Sequence, residues 1–382
     1  MRKGWEYKKL GDCTQILDSQ RKPVTKRDRK SGIYPYYGAT GIQDYVDKYI
    51  FDGRYVLVGE DGAKWSSFTQ SAFIIEGKTW VNNHAHVLRT NDFLVDSFLV
   101  YFLNYSDLDS YISGAIIRKL TQASLRNIDI PLPPKSTQLA IVSELDKINE
   151  LIRLKKEQLK DFDNLAQSLF YEMFGDPVEN EKGWEVKKLG EISSLICNGN
   201  TPKGGSEVYV DNGILFLRSQ NVWKNRLDLD DVAFIDEATH KTLKKSALNH
   251  HDLLITKTGR VNTENSSLGR TALFEGEDGS ANINGHVYLV RLKEGMVHKY
   301  VLYILISNSY RELIRRTCVG GIDKRQLNKN HIEDFPIILP PLPLQRLFAQ
   351  RIEQIEREKS EVQKSIQDLE TLLASRMQYW FE

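Results

Sequence analysis

A few side chains in the first half of the chain have the types and spacing of a metal-dependent active site. Asp61, followed by Glu76 and Lys78, matches the loose acid, acid-x-lysine pattern with which many nucleases hold Mg²⁺ and activate water. His84 and His86 alternate, so a strand would direct both imidazoles to one face, but no third metal ligand is evident. The acid pattern often arises by chance and has no counterpart in the second half of the chain. The sequence therefore predicts neither a catalytic nor a metal site.

Other catalytic and cofactor motifs are absent from the sequence. There is no GxxxxGK loop followed by Ser or Thr, so nothing indicates an ATPase. Both Pro-Pro pairs follow leucine, unlike the Asn-or-Asp-Pro-Pro-aromatic motif of adenine methyltransferases, and no Gly-rich turn for S-adenosylmethionine is present. Cys13, Cys197 and Cys318 are odd in number and in no CxxC spacing, which argues against a disulfide framework or a zinc site. We expect no cofactor in this chain.

Basic and amide side chains cluster instead in two loops, each of which precedes a Pro-Pro segment. The loops are GAIIRKLTQASL (114–125) and GGIDKRQLNKNHI (320–332). Adjacent cations suit phosphates or guanine edges, while Thr, Gln and Asn suit base edges. The predicted DNA-binding residues of these loops are Arg118, Lys119, Thr121, Gln122, Lys324, Arg325, Gln326 and Asn328. A solvated charged turn is the alternative interpretation.

Further basic and aromatic residues alternate elsewhere in both halves of the chain. The additional candidates for DNA contact are Tyr36, Tyr37, Lys64 and Trp65 in the first half, and Arg218, Gln220, Lys257, Arg260 and Arg270 in the second. Aromatic and basic side chains interleaved on loops suit nucleic acid. Packing within the protein is the alternative interpretation for many of them.

The elements that would position these loops are repeated along the chain. GWEYKKLGD at 4–12 recurs as GWEVKKLGE at 183–191, an offset of 179. A second pair of similar segments begins at Leu125 and Ile332, an offset of 207 that places Gln138 on Gln345. The second copy therefore carries 28 more residues between the two landmarks. The chain is predicted to be an internal duplication of one variable and one constant region.

An apolar heptad pattern follows each Pro-Pro segment. Its positions are Leu145, Ile152, Leu159, Ala166 and Met173 with Ile141, Ile148, Phe162 and Leu169, and then Ile352, Ile366, Leu373 and Trp380 with Phe348, Ile355, Val362 and Leu369. Lys155, Lys359 and Arg376 interrupt the pattern. It predicts two coiled-coil helices of roughly 37 residues, each about 55 Å long. Because neither helix can bury its apolar stripe alone, we expect an antiparallel pair, with a variable domain at each end and both lysines near its middle.

The variable regions contain short β-type runs separated by Gly, Asn and Asp turns, with helical stretches at 95–108 and 297–316. The predicted fold class is α+β: two mixed α/β domains separated by two long helices that pair as an antiparallel coiled coil, with an internal pseudo-two-fold repeat. The predicted boundaries are 1–135 and 179–342 for the variable domains, and 136–178 and 343–382 for the helical regions.

Charge and hydropathy limit how the chain could contact DNA and indicate where in the cell it is expected. The net charge is +1, with 19 basic and 15 acidic side chains in 1–135 against 5 and 8 in 136–178. Any DNA contact must therefore come from local clusters rather than from a global potential. No run approaches 18 apolar residues and no signal peptide is evident, so we expect a cytoplasmic protein without membrane contact.

This organisation resembles the specificity subunit of type I restriction-modification enzymes. The resemblance covers the whole chain and rests on GWEVKKLGEI, YYGATGIQDYVDKYIFDGRYVLVGEDGA (36–63), IPLPPKSTQLAIV, LLITKTGRVNTENSSLGRTALF (253–274) and INGHVYLVR (283–291). It implies two target-recognition domains that each read one half of a split, asymmetric sequence in double-stranded DNA, through loops that include those before the Pro-Pro segments. It also implies a helix pair that sets the gap between the half-sites.

The resemblance further implies a non-catalytic chain within a larger complex. Two modification subunits would methylate adenine with S-adenosylmethionine, and restriction subunits would use ATP and Mg. Aromatic residues near the helix ends are candidates for docking the modification subunits: Phe170, Tyr171, Phe174, Tyr379, Trp380 and Phe381. The alternatives are a scaffold that does not bind DNA and a Mg-dependent nuclease that uses Asp61 and Glu76.

Overall fold

The computed structural model describes residues 4–261, 263, 265–321 and 323–382. The chain forms two compact units. Unit 1 comprises the described residues up to Gln158 together with Val362–Glu382, and unit 2 comprises Leu159–Glu361. Each unit therefore contains one variable region and a part of both long helices.

The first variable region and the helix that follows it contain ten strands and four α-helices among the described residues. The strands are β1 (Glu6–Lys9), β2 (Thr14–Ile16), β3 (Ser31–Gly38), β4 (Gly41–Val46), β5 (Phe51–Gly59), β6 (Ala72–Val81), β7 (Ala85–Thr90), β8 (Ile112–Ser113), β9 (Lys119–Leu120) and β10 (Asp129–Leu132). The helices are α1 (Leu10–Cys13), α2 (Asp96–Tyr105), α3 (Gln122–Arg126) and α4 (Lys135–Phe174).

A six-stranded sheet forms the centre of unit 1. Its order is β2-β7-β5-β6-β3-β4, with β3 and β6 parallel and all other neighbours antiparallel. The middle strand β5 has an almost continuous buried apolar run, as expected for a strand covered on both faces. Val56 and Val58 face a core shared with α2 and α4, while Leu57 faces a second cluster.

The second variable region has fifteen strands and five short helices among its described residues, and the second long helix follows. The strands are β11 (Glu185–Lys188), β12 (Ser193–Asn198), β13 (Tyr209–Val210), β14 (Ile214–Leu217), β15 (Val222–Trp223), β16 (Arg226–Leu227), β17 (Ala233–Ile235), β18 (Leu253–Thr256), β19 (Thr258–Gly259), β20 (Thr271–Leu273), β21 (Ala281–Ile283), β22 (Val287–Leu292), β23 (Val319–Gly320), β24 (Arg325–Gln326) and β25 (Pro336–Leu339). The helices are α5 (Leu189–Ile192), α6 (Glu237–Thr242), α7 (His298–Leu305), α8 (Asn308–Thr317), α9 (Lys329–Glu333) and α10 (Leu342–Phe381).

Unit 2 divides its strands between two four-stranded sheets, β12-β22-β18-β20 and β13-β17-β14-β21. Matching backbone bonds locate its extra residues. Asn82 N donates to Tyr37 O as Asn284 N donates to Leu217 O, and Leu120 N donates to Glu60 O as Leu327 N donates to Lys257 O. The offset between the copies is 180 at Tyr37 and already 197 at Glu60. Most of the added length therefore lies between Leu217 and Lys257, a segment that includes β15–β17 and α6.

The two repeated landmarks of each copy pair with one another. β1 runs antiparallel to β10 with Glu6 opposite Leu132, and β11 runs antiparallel to β25 with Glu185 opposite Leu339. The two ladders have the same register, because the offsets of 179 and 207 apply to both. This confirms the predicted internal repeat and shows that the landmarks form the base from which each long helix begins.

A glutamine in the first turn of each long helix fastens it to that base. The amide of Gln138 donates to Pro133 O at 2.9 Å, and that of Gln345 donates to Pro340 O at 2.7 Å. Gln138 also accepts from Val95 N at 2.9 Å, which ties α2 to α4. The alignment of these two glutamines in the sequence is therefore confirmed.

The long helices pair antiparallel within each unit, as predicted. In unit 1 the first part of α4 buries Ile141 and Leu145 in a core that contains Met377 of α10. In unit 2 the last part of α4 buries Phe170 in a core that contains Phe348 of α10. Each helix has 40 residues, slightly more than predicted.

Charged residues beside the apolar seam also join the two helices. Lys156 Nζ contacts Glu370 at 2.7 Å, Arg376 contacts Glu144, and Lys359 Nζ contacts Asp163 at 2.5 Å. Two of the three charged interruptions of the heptad pattern are thus paired with a carboxylate on the other helix. The third, Lys155, donates to Gln158 on its own helix at 3.3 Å.

Several boundaries differ from those expected from the sequence. The stretch 297–316 forms two helices, because the hydroxyl of Ser307 accepts from Tyr310 N and starts α8. α10 begins at Leu342, so Pro343 lies in its first turn, where a missing N–H costs little. The cysteines are free, and Cys197 is only partly buried. No helix in the described part of the chain is long and apolar enough to cross a membrane.

Candidate nucleic-acid interface

The loop before the first Pro-Pro segment is a small hairpin with a buried base. β8 pairs with β9, placing Ser113 opposite Lys119, and the turn begins at Gly114 with a φ of +96°. A Cβ at Gly114 would collide with the carbonyl oxygen of Ile117, so the turn requires glycine. Leu120 is fully buried, and its N–H donates to Glu60 O at 2.8 Å. The hairpin is therefore fixed to the end of β5 by its base, while residues 114–118 are exposed.

Unit 2 builds the equivalent loop on the same backbone contact. β24 pairs with both β23 and β19, placing Gln326 opposite Thr258 and Arg325 opposite Gly259. Leu327 is fully buried, and its N–H donates to Lys257 O at 2.9 Å. Leu120 and Leu327 are separated by the offset of 207, so the two recognition loops predicted from the sequence occupy matching positions.

Each of these loops forms one wall of an open cleft. The cleft of unit 1 has a volume of about 500 Å³ and joins Arg118 to Lys64 and Trp65. The cleft of unit 2 has a volume of about 590 Å³ and joins Lys324 to Arg260. Candidates that are distant in sequence thus come together in both units, with exposed cations at the rim. Such a cleft can bind phosphates and present side chains to base edges.

Not all candidates of unit 1 are available at its surface. Lys64 and Arg118 are exposed, and Arg118 contacts Asp109 at 2.7 Å with its guanidinium 5.9 Å from the Trp65 ring. Trp65 itself is 4% exposed and donates its indole N–H to Gly59 O at 3.0 Å. Tyr36 is 1% exposed and contacts Val24 through its hydroxyl. Trp65 and Tyr36 therefore support the domain from inside, and their burial corrects the expectation of a direct DNA contact.

The remaining candidates of unit 1 hold the loop in place. Lys119 Nζ contacts Glu60 at 2.6 Å, and Gln122 donates to Asp18 at 3.2 Å. The hydroxyl of Thr121 accepts from Ser124 N and caps α3. Tyr37 packs against Phe73 at 5.9 Å between ring centroids.

In unit 2 the candidates divide between the cleft and a neighbouring hairpin. Arg218 and Gln220 both contact Asp231, at 3.0 and 2.7 Å. The Arg270 guanidinium stacks on the Trp223 ring at 3.8 Å and donates to backbone carbonyls of 265 and 266. The other members take partners of their own: Lys257 lies 5.9 Å from the Tyr288 ring, Gln326 donates to Asn328 at 3.2 Å, and Asn328 caps α9. The Nε atoms of Arg218 and Arg325 are buried without a hydrogen-bond acceptor in the described part of the chain.

A buried ionic network beneath the loop of unit 1 was not predicted from the sequence. His86 is 0% exposed; its Nδ1 contacts Asp18 at 2.6 Å and its Nε2 contacts Leu120 O at 2.8 Å. Arg21 contacts Glu60 at 2.5 Å from the other side. Burial alone would raise the pKa of Asp18, but the hydrogen bond and charge of His86 outweigh it, and the pKa lies below its usual range. Asp18 is thus held as a carboxylate, and the two ring nitrogens of His86 face Asp18 and Leu120 O.

The same network contains a group of three potential metal ligands. Asp18, Glu60 and His86 offer ligand atoms within 4.8 Å of one another. Burial would raise the pKa of Glu60, but hydrogen bonds from Lys119 and Arg21 lower it below its usual range. Since two cationic side chains already bind the Glu60 carboxylate, these residues form a salt-bridge network rather than a ligand set for a metal ion.

The other metal and catalytic patterns in the sequence do not assemble. His84 is exposed and contacts Asp61 at 2.5 Å, so it does not share a face with the buried His86. Glu76 contacts Arg54 at 3.4 Å, a different partner from that of Asp61.

Unit 2 replaces the network with other chemistry at the same backbone position. His84 N donates to Asn82 Oδ1 as His286 N donates to Asn284 Oδ1, which aligns His86 with Tyr288. The Tyr288 hydroxyl donates to Leu327 O at 3.3 Å, as His86 donates to Leu120 O. Lys257 takes the position of Glu60. The loop bases are therefore equivalent in backbone and different in charge.

The aromatic residues near the helix ends serve mainly to join helices to domains. In unit 2, Phe170 and Phe174 are 1% and 0% exposed and pack on Tyr300 and Phe348. In unit 1, Phe381 packs on Phe98 at 5.5 Å. This burial corrects the expectation that Phe170 and Phe174 offer a docking surface. Of the other candidates, Tyr379 is 53% exposed, Tyr171 and Trp380 are partly buried, and Trp380 donates to Glu144 at 3.0 Å.

Comparisons with known proteins agree with this architecture. The chain is 28% identical to a putative type I restriction enzyme specificity subunit of Haemophilus influenzae, over 92% of this chain and 87% of that one. It is 24% identical to the MjaIX specificity subunit of Methanocaldococcus jannaschii, over 97% and 91%.

Solved structures show the same fold at low identity. The S subunit of a type I restriction-modification system from M. genitalium has a TM-score of 0.56 at 14% identity, over 98% of this chain and 95% of that one. A structure from work on complex assembly and conformational transition of the type I R-M system has a TM-score of 0.58 at 19% identity, over 100% and 98%.

A family model spans most of the chain in two copies that follow its internal repeat. The model of the type I restriction modification DNA specificity domain matches residues 2–161 and again residues 181–371. The chain therefore belongs to the type I restriction modification DNA specificity family and carries two of its domains.

Proposed function

We propose that this protein is the DNA-specificity subunit of a type I restriction-modification complex, in which each unit reads one half of a split target in double-stranded DNA. The observation that carries the proposal is the pair of equivalent clefts. Each is formed by the loop before a Pro-Pro segment, each rests on the same Leu N–H to carbonyl bond, and each presents cations at its rim. Cations at the rim would bind phosphates and orient the loop toward base edges.

The two half-sites should differ in sequence. The walls of the clefts carry different side chains, with Lys64 and Arg118 in unit 1 and Arg260 and Lys324 in unit 2. The groups beneath the loops also differ, with His86 in one and Tyr288 in the other. Since direct readout depends on which donors and acceptors meet the base edges, the target should be asymmetric.

The paired helices would set the gap between the half-sites and dock two modification subunits. In this proposal the modification subunits bind S-adenosylmethionine, restriction subunits bind ATP and Mg, and this chain binds DNA without catalysing a reaction. The contacts of Asp61 and Glu76 count against the nuclease alternative, because Asp61 pairs with His84 and Glu76 pairs with Arg54.

Base-modification sequencing of host DNA with and without the gene tests the proposal. We expect one split, asymmetric motif to lose N6-methyladenine when the gene is deleted. If no motif changes while the modification subunit is expressed, a scaffold that does not bind DNA becomes the better reading.

The spacing role has its own test. One heptad inserted into α4 after Gln158 and another into α10 after Glu361 would lengthen the helix pair by about 10.5 Å, or about three base pairs at 3.4 Å each. We expect the methylated motif to keep both half-sites and gain about three base pairs between them. An unchanged spacer in an active variant would contradict the role of the helices.

A further inference from the structure

The tip of the unit 1 loop presents two adjacent isoleucines to solvent. Ile116 is 97% exposed and Ile117 is 70% exposed. In the described part of the chain no other large apolar side chain is as exposed as Ile116. Single exposed apolar residues are ordinary. Two neighbouring β-branched side chains at the end of a fixed hairpin instead form a small apolar surface that does not contribute to packing of the domain.

The hairpin beneath the tip is fixed to the domain, so the two isoleucines have a defined position. Gly114 makes the turn that only glycine permits, and the buried Leu120 closes the other end. The N–H of Leu120 is held by Glu60 O, and its carbonyl is held by His86. Both backbone groups of one residue are therefore bonded to the domain, which gives the tip a defined direction.

The surroundings of the tip are cationic. Both isoleucines line the cleft that also contains Arg118 and Lys64, and Lys119 follows directly in the chain. An apolar tip flanked by cations matches a DNA groove, where phosphates lie at the rim and the thymine 5-methyl group is the apolar feature of the floor. Two short branched side chains on neighbouring positions offer a broad methyl-rich surface. Such a surface suits contact with a methyl group, whereas the separation of stacked bases uses a single bulky side chain as a wedge.

The described residues of the unit 2 loop present different groups to its cleft. This loop is one residue longer, because Ser113 pairs with Lys119 whereas Val319 pairs with Gln326, and its Asp323 and Lys324 line the cleft of unit 2. An acidic and a basic side chain suit donor and acceptor groups on base edges rather than a methyl group.

We infer that Ile116 and Ile117 are specificity-determining residues that contact a thymine 5-methyl group in the major groove of the half-site read by unit 1. The inference rests on the proposed function and specifies a kind of base pair that one half-site must contain. That half-site must contain at least one A·T pair at the position that meets the tip, and recognition of that pair must depend on the methyl group.

The first test compares the methylated motifs of host cells that carry the wild-type gene, the I116S/I117S variant or an I33S control. Ile33 is also a highly exposed isoleucine of unit 1, at 79%, and it does not line the cleft. We expect I116S/I117S to relax the motif at one A·T position in a single half-site and I33S to leave the motif unchanged. Because the substituted side chains are exposed, none of these changes removes core packing. A full-stringency motif from I116S/I117S overturns the inference, whereas a wild type without any split motif overturns the proposed function itself.

The second test measures binding of the full chain, assembled with its modification subunits, to duplexes of the motif in which single thymines are replaced by deoxyuridine. We expect one such replacement to weaken wild-type binding by roughly five- to tenfold and to leave binding by I116S/I117S unchanged. The slope of log K against log salt should stay the same in I116S/I117S, since no phosphate contact is lost, and should flatten in R118A. Equal sensitivity of wild type and I116S/I117S to every deoxyuridine replacement would contradict a methyl contact at the tip.

Discussion

The hydrogen bonds of the buried His86 should make the strongest single polar contribution to the loop of unit 1. Its side chain is 1% exposed, against 7% for Asp18 and 9% for Glu60. Replacing it with alanine leaves the Asp18 carboxylate without one of its hydrogen-bond partners and Leu120 O without its donor. Leaving a buried polar group unpaired typically costs about 1–3 kcal/mol, and more when the group is charged. Because Arg21 and Lys119 still contact Glu60, we expect H86A to lose about 3 kcal/mol.

A double-mutant cycle separates the interaction of His86 with Asp18 from simple loss of packing. The single variants are H86A and D18N, and the coupling energy is the difference between the double variant and the sum of the two. We expect a coupling of about 1.5–3 kcal/mol, the usual range for a hydrogen bond to a charged group. The measurement is hydrogen exchange of the full chain, read at the Leu120 amide, whose N–H donates to Glu60 O. Exchange localises the effect to unit 1, which unfolding of a two-unit chain by a single probe would not do.

Unit 2 supplies the matched control. Y288F removes the hydroxyl that donates to Leu327 O at the equivalent position, at a cost of about 1 kcal/mol. The effect of H86A at Leu120 should exceed that of Y288F at Leu327 by at least tenfold in protection factor, since about 1.4 kcal/mol corresponds to a factor of ten. Additive effects of H86A and D18N, within about 0.5 kcal/mol, would refute a stabilising interaction between His86 and Asp18.

Three further outcomes follow from the same contacts. The pKa values of Asp18 and Glu60 are lowered in the folded protein, so the two carboxylates stabilise the fold fully above their unfolded pKa values of 3.8 and 4.5. This stabilisation is lost as the pH falls below those values. Urea titrations at a series of pH values should therefore show that the wild type loses stability more steeply between pH 5 and pH 3 than D18N/E60Q does. R118A and K324A should each weaken DNA binding by the complex for all sequences. Each should also reduce the slope of log K against log salt by about 0.9 for every phosphate contact that is lost. An unchanged slope would show that the substituted residue does not bind a phosphate. F348A should destabilise unit 2 by about 3–5 kcal/mol, because Phe348 is 0% exposed and packs against two phenylalanines of α4. The loss should be seen as faster hydrogen exchange in α7. A loss below about 1 kcal/mol would show that these rings do not hold the helices together.

The repeated elements of the fold could be predicted because they follow local patterns. The heptad stripes predicted the two helices, and the recurring landmarks predicted the internal repeat, down to the alignment of Gln138 with Gln345. The break at Ser307 was missed although a serine that starts a new helix is an ordinary N-cap signal, and although the apolar run before it changes there to the polar stretch NSYRE.

The candidate interface could be predicted only in part. Residue type and loop position made Arg118, Lys64, Lys324 and Arg260 separate candidates, and only the fold shows that they meet in pairs, Arg118 with Lys64 and Lys324 with Arg260. Trp65 has the same local signals as its exposed neighbours, and only the folded chain shows that its indole bonds to Gly59 O inside the domain.

The ionic network was missed for a related reason. Asp18, Glu60 and His86 are separated by up to 68 residues and have no motif in common, so nothing in the sequence places them around one loop. Contacts of this kind depend on how strands pair, which local residue patterns do not specify.

The two units show how a repeated fold can carry different side chains around equivalent loops. The bond that seats each loop joins backbone to backbone, Leu120 N to Glu60 O and Leu327 N to Lys257 O, and such a bond places no demand on the side chains at either position. The residues beneath it are therefore free to differ, and they do: Glu60 is matched by Lys257, and His86 by Tyr288. In the proposed function, a change of side chain at the tip would alter the groups that meet the base edges without moving the hairpin that carries them. The ladders and helices common to both copies would hold each altered tip in the same geometry, so that half-site specificity could change while the backbone of each unit did not.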